Sequence, residues 1–160
     1  MHPTKNDLSL EIRTKAVTLL NERLADAIDF TLQGKQAHWN VKGPHFIALH
    51  ELFDKVVETA EEWVDDIAER VVALGGVADG TVAAVSKKTS LAAYPTEAVD
   101  GHEHVDALSS ALAKFGKGVR AAIDESDKLG DKDTSDLFTG ISRDSDKYLW
   151  FLEAHLQGKR

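Results

Sequence analysis

Residues 42–76 read KGPHFIALHELFDKVVETAEEWVDDIAERVVALGG, and their spacing predicts one long helix closed at both ends. Lys42-Gly43 interrupts the preceding pattern, Pro44 suits the first turn of a new helix, and Gly75-Gly76 after Leu74 is a stop. At about 100° per residue, Leu49, Leu52, Phe53, Val56, Ala60, Trp63, Val64, Ile67 and Val71 share one arc, the core side. His50, Asp54, Glu58, Asp65 and Glu69 share another arc, about 100° wide, on the shoulder of the helix.

The text on either side continues in helical period. A first helix is expected from about Ser9 to Asn40, with Val17, Leu20, Leu24 and Ile28 on one face and Gly34 as its weak point. Its junction with the second is too short for anything but a hairpin. From Gly75 to Gly101 the pattern loosens through Thr81, Ser86, Thr89, Ser90 and Pro95. About 25 residues is long for a structureless connection, so a short helix is expected near Leu91 to Tyr94 or just before it. A third helix carries Val105, Leu108, Leu112, Phe115, Val119 and Ile123 at spacings of three and four and ends before Gly130, with Gly116 and Gly118 weakening it or admitting a close neighbour. A fourth opens at Asp133 as its cap and carries Phe138, Ile141, Tyr148, Leu149 and Leu152 toward Leu156. Two hairpins joined by one long crossover describe an all-α four-helix bundle of ferritin-like topology, with a short helix in the crossover between helices two and three. The reading is a single domain over residues 1–160, with tails at about 1–7 and 157–160.

Composition narrows the chemistry. The chain has 160 residues, 27 acids against 19 Lys and Arg, and a formal charge of −8. At 42% hydrophobic and 29% charged it has the balance of a globular domain, and no apolar run approaches the roughly 20 residues that span a bilayer. The opening Met1-His2-Pro3-Thr4-Lys5-Asn6-Asp7 has no apolar segment bounded by a cleavage site, so the expected location is cytoplasmic, with nucleoid association left open. With no cysteine, disulfides, thiolate zinc sites, iron–sulfur clusters and cysteine nucleophiles are excluded. Methionine occurs only at Met1, so the most easily oxidised side chains are scarce, as suits oxidative duty. Seven histidines therefore carry any metal argument.

The polar shoulder has two readings. By itself an acidic stripe is a solvated helix face. His38, four residues before the hairpin, changes this, because the turn can bring it beside His50 and Asp54. Two imidazoles and a carboxylate suit iron, zinc or manganese, and composition does not choose among them. Asp65 and Glu69 lie too far along the helix to share that ion, since the eleven residues from Asp54 to Asp65 span about 16 Å. If two copies pack antiparallel about a twofold axis, however, Asp65 and Glu69 of one can face His38, His50 and Asp54 of the other. The remaining histidines are weaker candidates. His45 falls off the shoulder, His102 and His104 fit a solvent-facing helix start, and His2 and His155 sit near the termini.

The run Lys35-Gln36-Ala37-His38-Trp39-Asn40-Val41-Lys42-Gly43, then Phe46, His50-Glu51, Phe53-Asp54 and Asp65 to Gly76, resembles the Dps family of mini-ferritins. The likeness continues through Ser86 to Leu91, Tyr94-Pro95, Asp133-Thr134, Ser142-Arg143-Asp144 and Asp146 to Glu153, covering about residues 6 to 156. It implies a hollow dodecamer built from twofold dimers that oxidises Fe(II), preferably with hydrogen peroxide and otherwise with dioxygen, and stores ferric mineral. The implied ferroxidase site takes His38, His50 and Asp54 from one subunit and Asp65 and Glu69 from its twofold mate, with zinc as a substitute metal. Trp39 matches the family's aromatic near the iron, where it would intercept stray oxidising equivalents. Glu58, on the same stripe, reads either as an accessory or nucleation carboxylate or as a surface acid.

Between residues 124 and 136, Asp124, Glu125, Asp127, Asp131, Asp133 and Asp136 stand against Lys128 and Lys132, a local charge of −4. Alone such a turn is solvated. In cages of this family the corresponding region approaches a threefold pore, where repeated acids would draw Fe(II) inward. DNA binding in many members depends on a lysine-rich N-terminal tail, and here only Lys5 precedes Asn6-Asp7. A short tail on an acidic body predicts weak binding at physiological salt, with Lys159-Arg160 adding some by repetition. A DNA-compacting cage with a secondary metal site is therefore the alternative function, and an acidic helical interaction module is a third.

Overall fold

The computed structural model describes residues 1–158. Among them the chain forms α1 (Leu10–Asn40), α2 (Phe46–Ala73), α3 (Val82–Lys88), α4 (Gly101–Leu129) and α5 (Lys132–Gln157), and no strand beyond a single bridge between Lys42 and Asp100. The hairpins α1–α2 and α4–α5 pack through α1 against α4 and α2 against α5, while α3 lies on α1. This is the expected four-helix bundle with a short helix in the crossover.

Local chemistry sets the helix ends. Ser9 caps α1 by accepting the Ile12 N–H, and Asp100 with Glu103 forms a reciprocal capping box at α4, each satisfying N–H groups that the first turn leaves open. Two expected boundaries move. Pro44 lies in the turn before α2 rather than inside its first turn, because Gly43 at φ +110° reverses the chain and accepts the Phe46 N–H at 3.1 Å. The cap of α5 is Asp131, not Asp133. Gly130 ends α4 in the left-handed region at φ +82°, so the chain turns at once and Asp131 receives the Thr134 N–H at 3.1 Å. Asp133 instead falls in the first turn of α5, where its charge favours the helix dipole.

The short helix sits at Val82–Lys88 under a Thr81 cap, the earlier of the two expected places, and Leu91 to Tyr94 is non-helical. Polar side chains of α1 hold that segment extended. Asp29 Oδ2 accepts the Thr89 hydroxyl at 2.6 Å, Asp26 Oδ1 accepts the Ser90 N–H at 2.6 Å, and Gln33 Nε2 donates to the Ala92 carbonyl at 3.0 Å. Asp26 is fully buried and is paired with Arg23 at 2.9 Å.

Inside the bundle Phe30, Trp63 and Phe115 stack, with ring centroids 5.4 to 6.5 Å apart. Burying each such side chain stabilises the fold by about 1.5–3 kcal/mol. Gly34, weak for helix propensity, has a packing role: a Cβ there would meet Val57 Cγ2 at 2.5 Å, so its absence lets α1 and α2 approach. The opening residues, expected as a tail, are laid against the end of α2. The His2 N–H donates to the Gly75 carbonyl at 2.6 Å, and buried Arg13 reaches the carbonyls of Leu74 and Leu8. No helix among the described residues is long and apolar enough to cross a membrane. Lys159 and Arg160, assigned above to a basic tail, lie outside the described residues.

Candidate metal centre

The last turn of α1 and the second turn of α2 meet across the Val41–His45 hairpin, and His38 and His50 face each other there. Their rings stack at a centroid distance of 3.7 Å. His38 Nδ1 lies 2.9 Å from the His50 carbonyl, and His50 Nδ1 lies 2.8 Å from the His38 carbonyl. A carbonyl only accepts, so each Nδ1 carries the hydrogen and the neutral ring keeps its lone pair on Nε2. Backbone-anchored histidines of this kind have their metal-binding nitrogen fixed in orientation. Phe46 packs over His50 at 5.1 Å.

Asp54, one turn after His50, completes the local set. Its Oδ1 lies 3.8 Å from His38 Nδ1, too far for a hydrogen bond, and receives the Lys35 ammonium at 2.5 Å. That hydrogen bond is the main reason the Asp54 carboxyl is held below its ordinary range, against the opposing effect of burial. Lys35 has no counterpart among the expected site residues; its only signal was its position one turn before His38 on the same helix. The arrangement is therefore two oriented imidazoles and a carboxylate partly neutralised by an internal cation.

Asp65 and Glu69 are exposed on α2, as is Glu58. Among the described residues no three His, Asp or Glu side chains converge on a point that would hold an ion, so one chain alone does not assemble a centre. Beside Asp65 the α1–α2 surface carries a shallow groove lined by Ile28, Thr31, Leu32, Glu61 and Val64, with Leu32 57% exposed. Trp39 is also largely exposed, at 69%.

The acidic turn divides. Asp124, Glu125, Asp127 and Asp136 are exposed, with Asp127 paired to Lys132. Asp131 is not available to line a pore, because it is 1% exposed and holds Arg70 Nη2 at 2.6 Å and the Thr134 hydroxyl at 2.6 Å. His104 is a second correction. It was expected at a solvent-facing helix start, yet it is 1% exposed, because the Tyr94 segment of the crossover folds over it and bonds its Nδ1 at 2.5 Å. His102 is exposed as expected, and so is His45, which occupies the α2 N-cap position without a side-chain bond.

The family model of the ferritin-like domain matches residues 17–160. A DNA protection during starvation protein from Agrobacterium fabrum is 52% identical over 158 residues, spanning 99% of this chain and 98% of the relative. Among solved structures, DpsA14 from Streptomyces coelicolor superposes with a TM-score of 0.92 at 38% identity, covering 97% of this chain and 92% of that one. Dps from Microbacterium arborescens in its high-iron form gives 0.88 at 37% identity, covering 94% and 97%.

Proposed function

The chain belongs to the Dps family of ferritin-like proteins, and from that premise we propose that it is a ferroxidase and iron-storing cage subunit whose substrate is Fe(II). The observation that carries this reading is the reciprocal backbone lock of His38 and His50, which prepares two Nε2 lone pairs beside Asp54. Imidazole nitrogen with carboxylate oxygen is a donor set suited to iron and also to zinc, which would compete for it.

The centre is completed by a second copy. An antiparallel twofold mate docked on the Ile28–Leu32–Val64 groove would bring Asp65 and Glu69 to the partner's open histidine end, and the two acids that one chain leaves in solvent would become ligands. Lys35 holds Asp54 in place until the cation arrives and then yields that oxygen. Two Fe(II) ions give two electrons to one hydrogen peroxide, whose O–O bond breaks, and with two protons the products are two waters and two Fe(III). Pairing the electrons avoids the one-electron cleavage that releases hydroxyl radical. Twelve copies would enclose the ferric product, with Asp124, Asp127 and Asp136 near the entry and Glu58 on the route inward. Peroxide is the preferred oxidant in this reading, dioxygen the slower one, and the cytoplasm the location.

The DNA-compacting alternative has less support. The N-terminal segment that would reach phosphates is bonded to Gly75, and the chain carries −8, both unfavourable for a phosphate-binding arm.

The test is anaerobic Fe(II) loading followed by stoichiometric peroxide, recording ferric absorbance, hydroxyl-radical trapping and assembly mass. Rapid oxidation without trapped hydroxyl radical in a particle of roughly dodecameric mass, lost in His50→Ala/Asp54→Ala, is expected. Oxidation no faster than without protein would remove the proposal.

A further inference from the structure

The chain has two tyrosines, and their hydroxyls meet different chemistry. Tyr148 bonds to the Thr59 hydroxyl at 3.0 Å, which is no base, and the Lys147 ammonium lies 5.1 Å from its ring centroid, a charge that opposes removing an electron from the ring. Tyr94 bonds to His104 Nδ1 at 2.5 Å, with the two rings 6.1 Å apart and 20° from parallel. His104 is 1% exposed, so the imidazole is sealed in the protein with the phenol as its partner.

The tautomer follows from what surrounds the ring. Burial pushes the Tyr94 phenol up, so it stays neutral and keeps a hydrogen to donate. Burial first, and the Lys42 ammonium with it, lowers His104, against the opposing effects of Glu103, the Asn40 carbonyl and Asp100. The ring is therefore neutral at rest. A carbonyl beside it favours the hydrogen on Nε2, which has no fully formed hydrogen bond of its own, and leaves Nδ1 as the acceptor of the phenol. The pair at rest is Tyr94 Oη–H donating to a neutral His104 Nδ1.

That arrangement suits loss of an electron. A phenol that loses one electron becomes a very strong acid, and its proton moves along the existing bond to Nδ1. The products are a neutral tyrosyl radical and an imidazolium, and Glu103 and Asp100 are the acids placed to favour that cation. The aromatic alternatives have no such base. Trp63 is buried with its indole N–H unpaired, so its oxidation would strand a charge in the core. Trp39 and Trp150 are open to water and would release their proton to solvent, so the Tyr94 pair is a second, internal acceptor beside Trp39 rather than a replacement for it.

We propose that Tyr94 and His104 form a proton-coupled one-electron site that takes up stray oxidising equivalents, with Tyr94 as the electron donor and His104 as the internal base. The oxidant is of the hydroxyl-radical class: one electron from Tyr94 with one proton from water's pool converts it to water, while the phenolic proton passes to His104. Recovery uses one Fe(II), which becomes Fe(III) as the radical regains its electron and His104 returns the proton. The location is suitable, since the Asn40 carbonyl beside His104 lies two residues beyond His38. The involvement of iron rests on the ferroxidase reading, and the redox property of the pair does not.

Two arms keep these apart. In the first, metal-free full-length protein is oxidised by pulse-radiolytic azide radicals and tyrosyl radical is followed by its absorbance. Tyr94→Phe should remove most of the tyrosyl signal and Tyr148→Phe little of it. His104→Gln, which fills the space and bonds the phenol without being a base, should slow radical formation by at least about tenfold and abolish its slowing in deuterium oxide. A wild-type yield in Tyr94→Phe, or an unchanged rate and isotope effect in His104→Gln, overturns the proposal. Helicity and assembly mass accompany each variant, and if His104→Gln does not fold, the Tyr94→Phe and Tyr148→Phe yields decide. In the second arm, Fe(II)-loaded protein is freeze-quenched after peroxide, and the tyrosyl resonance and ferric absorbance are read from the same samples. A resonance lost in Tyr94→Phe supports the pair's part in iron chemistry, and ferric absorbance with no tyrosyl resonance overturns it. Absence of ferric absorbance counts against the ferroxidase reading alone, since the azide arm still decides the pair.

Discussion

The two ends of α2 are both polar, and they are organised in opposite ways. At its C-terminal end Arg70 is bound by Asp131, Thr134 and, at 3.7 Å, Asp133, so that charge and hydrogen bonding close within one chain. At its N-terminal end His38 and His50 spend their Nδ1 hydrogens on backbone carbonyls, while Asp54 has only a lysine that can be displaced. A cluster whose valences are all met from inside holds the fold together. One that is oriented but unfinished is built to receive something from outside.

The largest expected effect breaks the closed end. Arg70→Met leaves Asp131 buried without its cation and should cost about 3–5 kcal/mol, read as a lower urea midpoint at unchanged m. An unchanged midpoint would mean that the cluster does not close as described. At the open end the stability change should be smaller and the chemistry should fail: His50→Ala/Asp54→Ala should lose iron oxidation by at least about a hundredfold while unfolding within about 1 kcal/mol of the parent.

His104 sharpens the contrast as a buried base with no carboxylate bonded to it. Its value is lowered by burial, so below its ordinary value the unfolded chain binds the extra proton and stability must fall. Unfolding free energy should therefore decline as pH drops below about 6.5, and His104→Gln should flatten that decline. A slope equal to the parent's would assign the acid sensitivity elsewhere. The smallest effect belongs to Lys35→Met. The Lys35–Asp54 pair is partly exposed, at 30% and 38%, so its loss should change stability by no more than about 1 kcal/mol, while Fe(II) affinity by titration should rise severalfold as a competing cation is removed.

The bundle was legible because its signal repeats. Val105, Leu108, Leu112, Phe115 and Val119 recur every three or four residues, and all are buried in α4. The shoulder bearing His50 and Asp54 was legible for the same reason, being the complement of that period on α2. What was not legible depends on partners distant in sequence. Asp131 and Asp133 are both good caps, and the first is selected by the left-handed turn at Gly130 together with Arg70, some sixty residues earlier. His104 looked solvent-facing because its cover, Tyr94, comes from a crossover with no period of its own. Only Val85 is buried in α3, so that helix had no apolar rhythm to place it. Lys35 was hidden because a lysine on a helix is ordinarily a solvated charge, and its contact with Asp54 exists only once the hairpin has closed.

The three tryptophans give the molecule a set of optical reporters. Trp63 is enclosed between Phe30 and Phe115 and is 2% exposed, whereas Trp39 and Trp150 are 69% and 63% exposed. Emission from the first should be blue-shifted and should redden only when the core opens. Trp39, next to His38, would be quenched if a paramagnetic ion bound at the histidine pair, and Trp150, exposed on α5, would report on a second copy only if that copy covered this face. Retaining one indole at a time would therefore let unfolding, metal arrival and assembly be timed separately in a single cuvette without an extrinsic label.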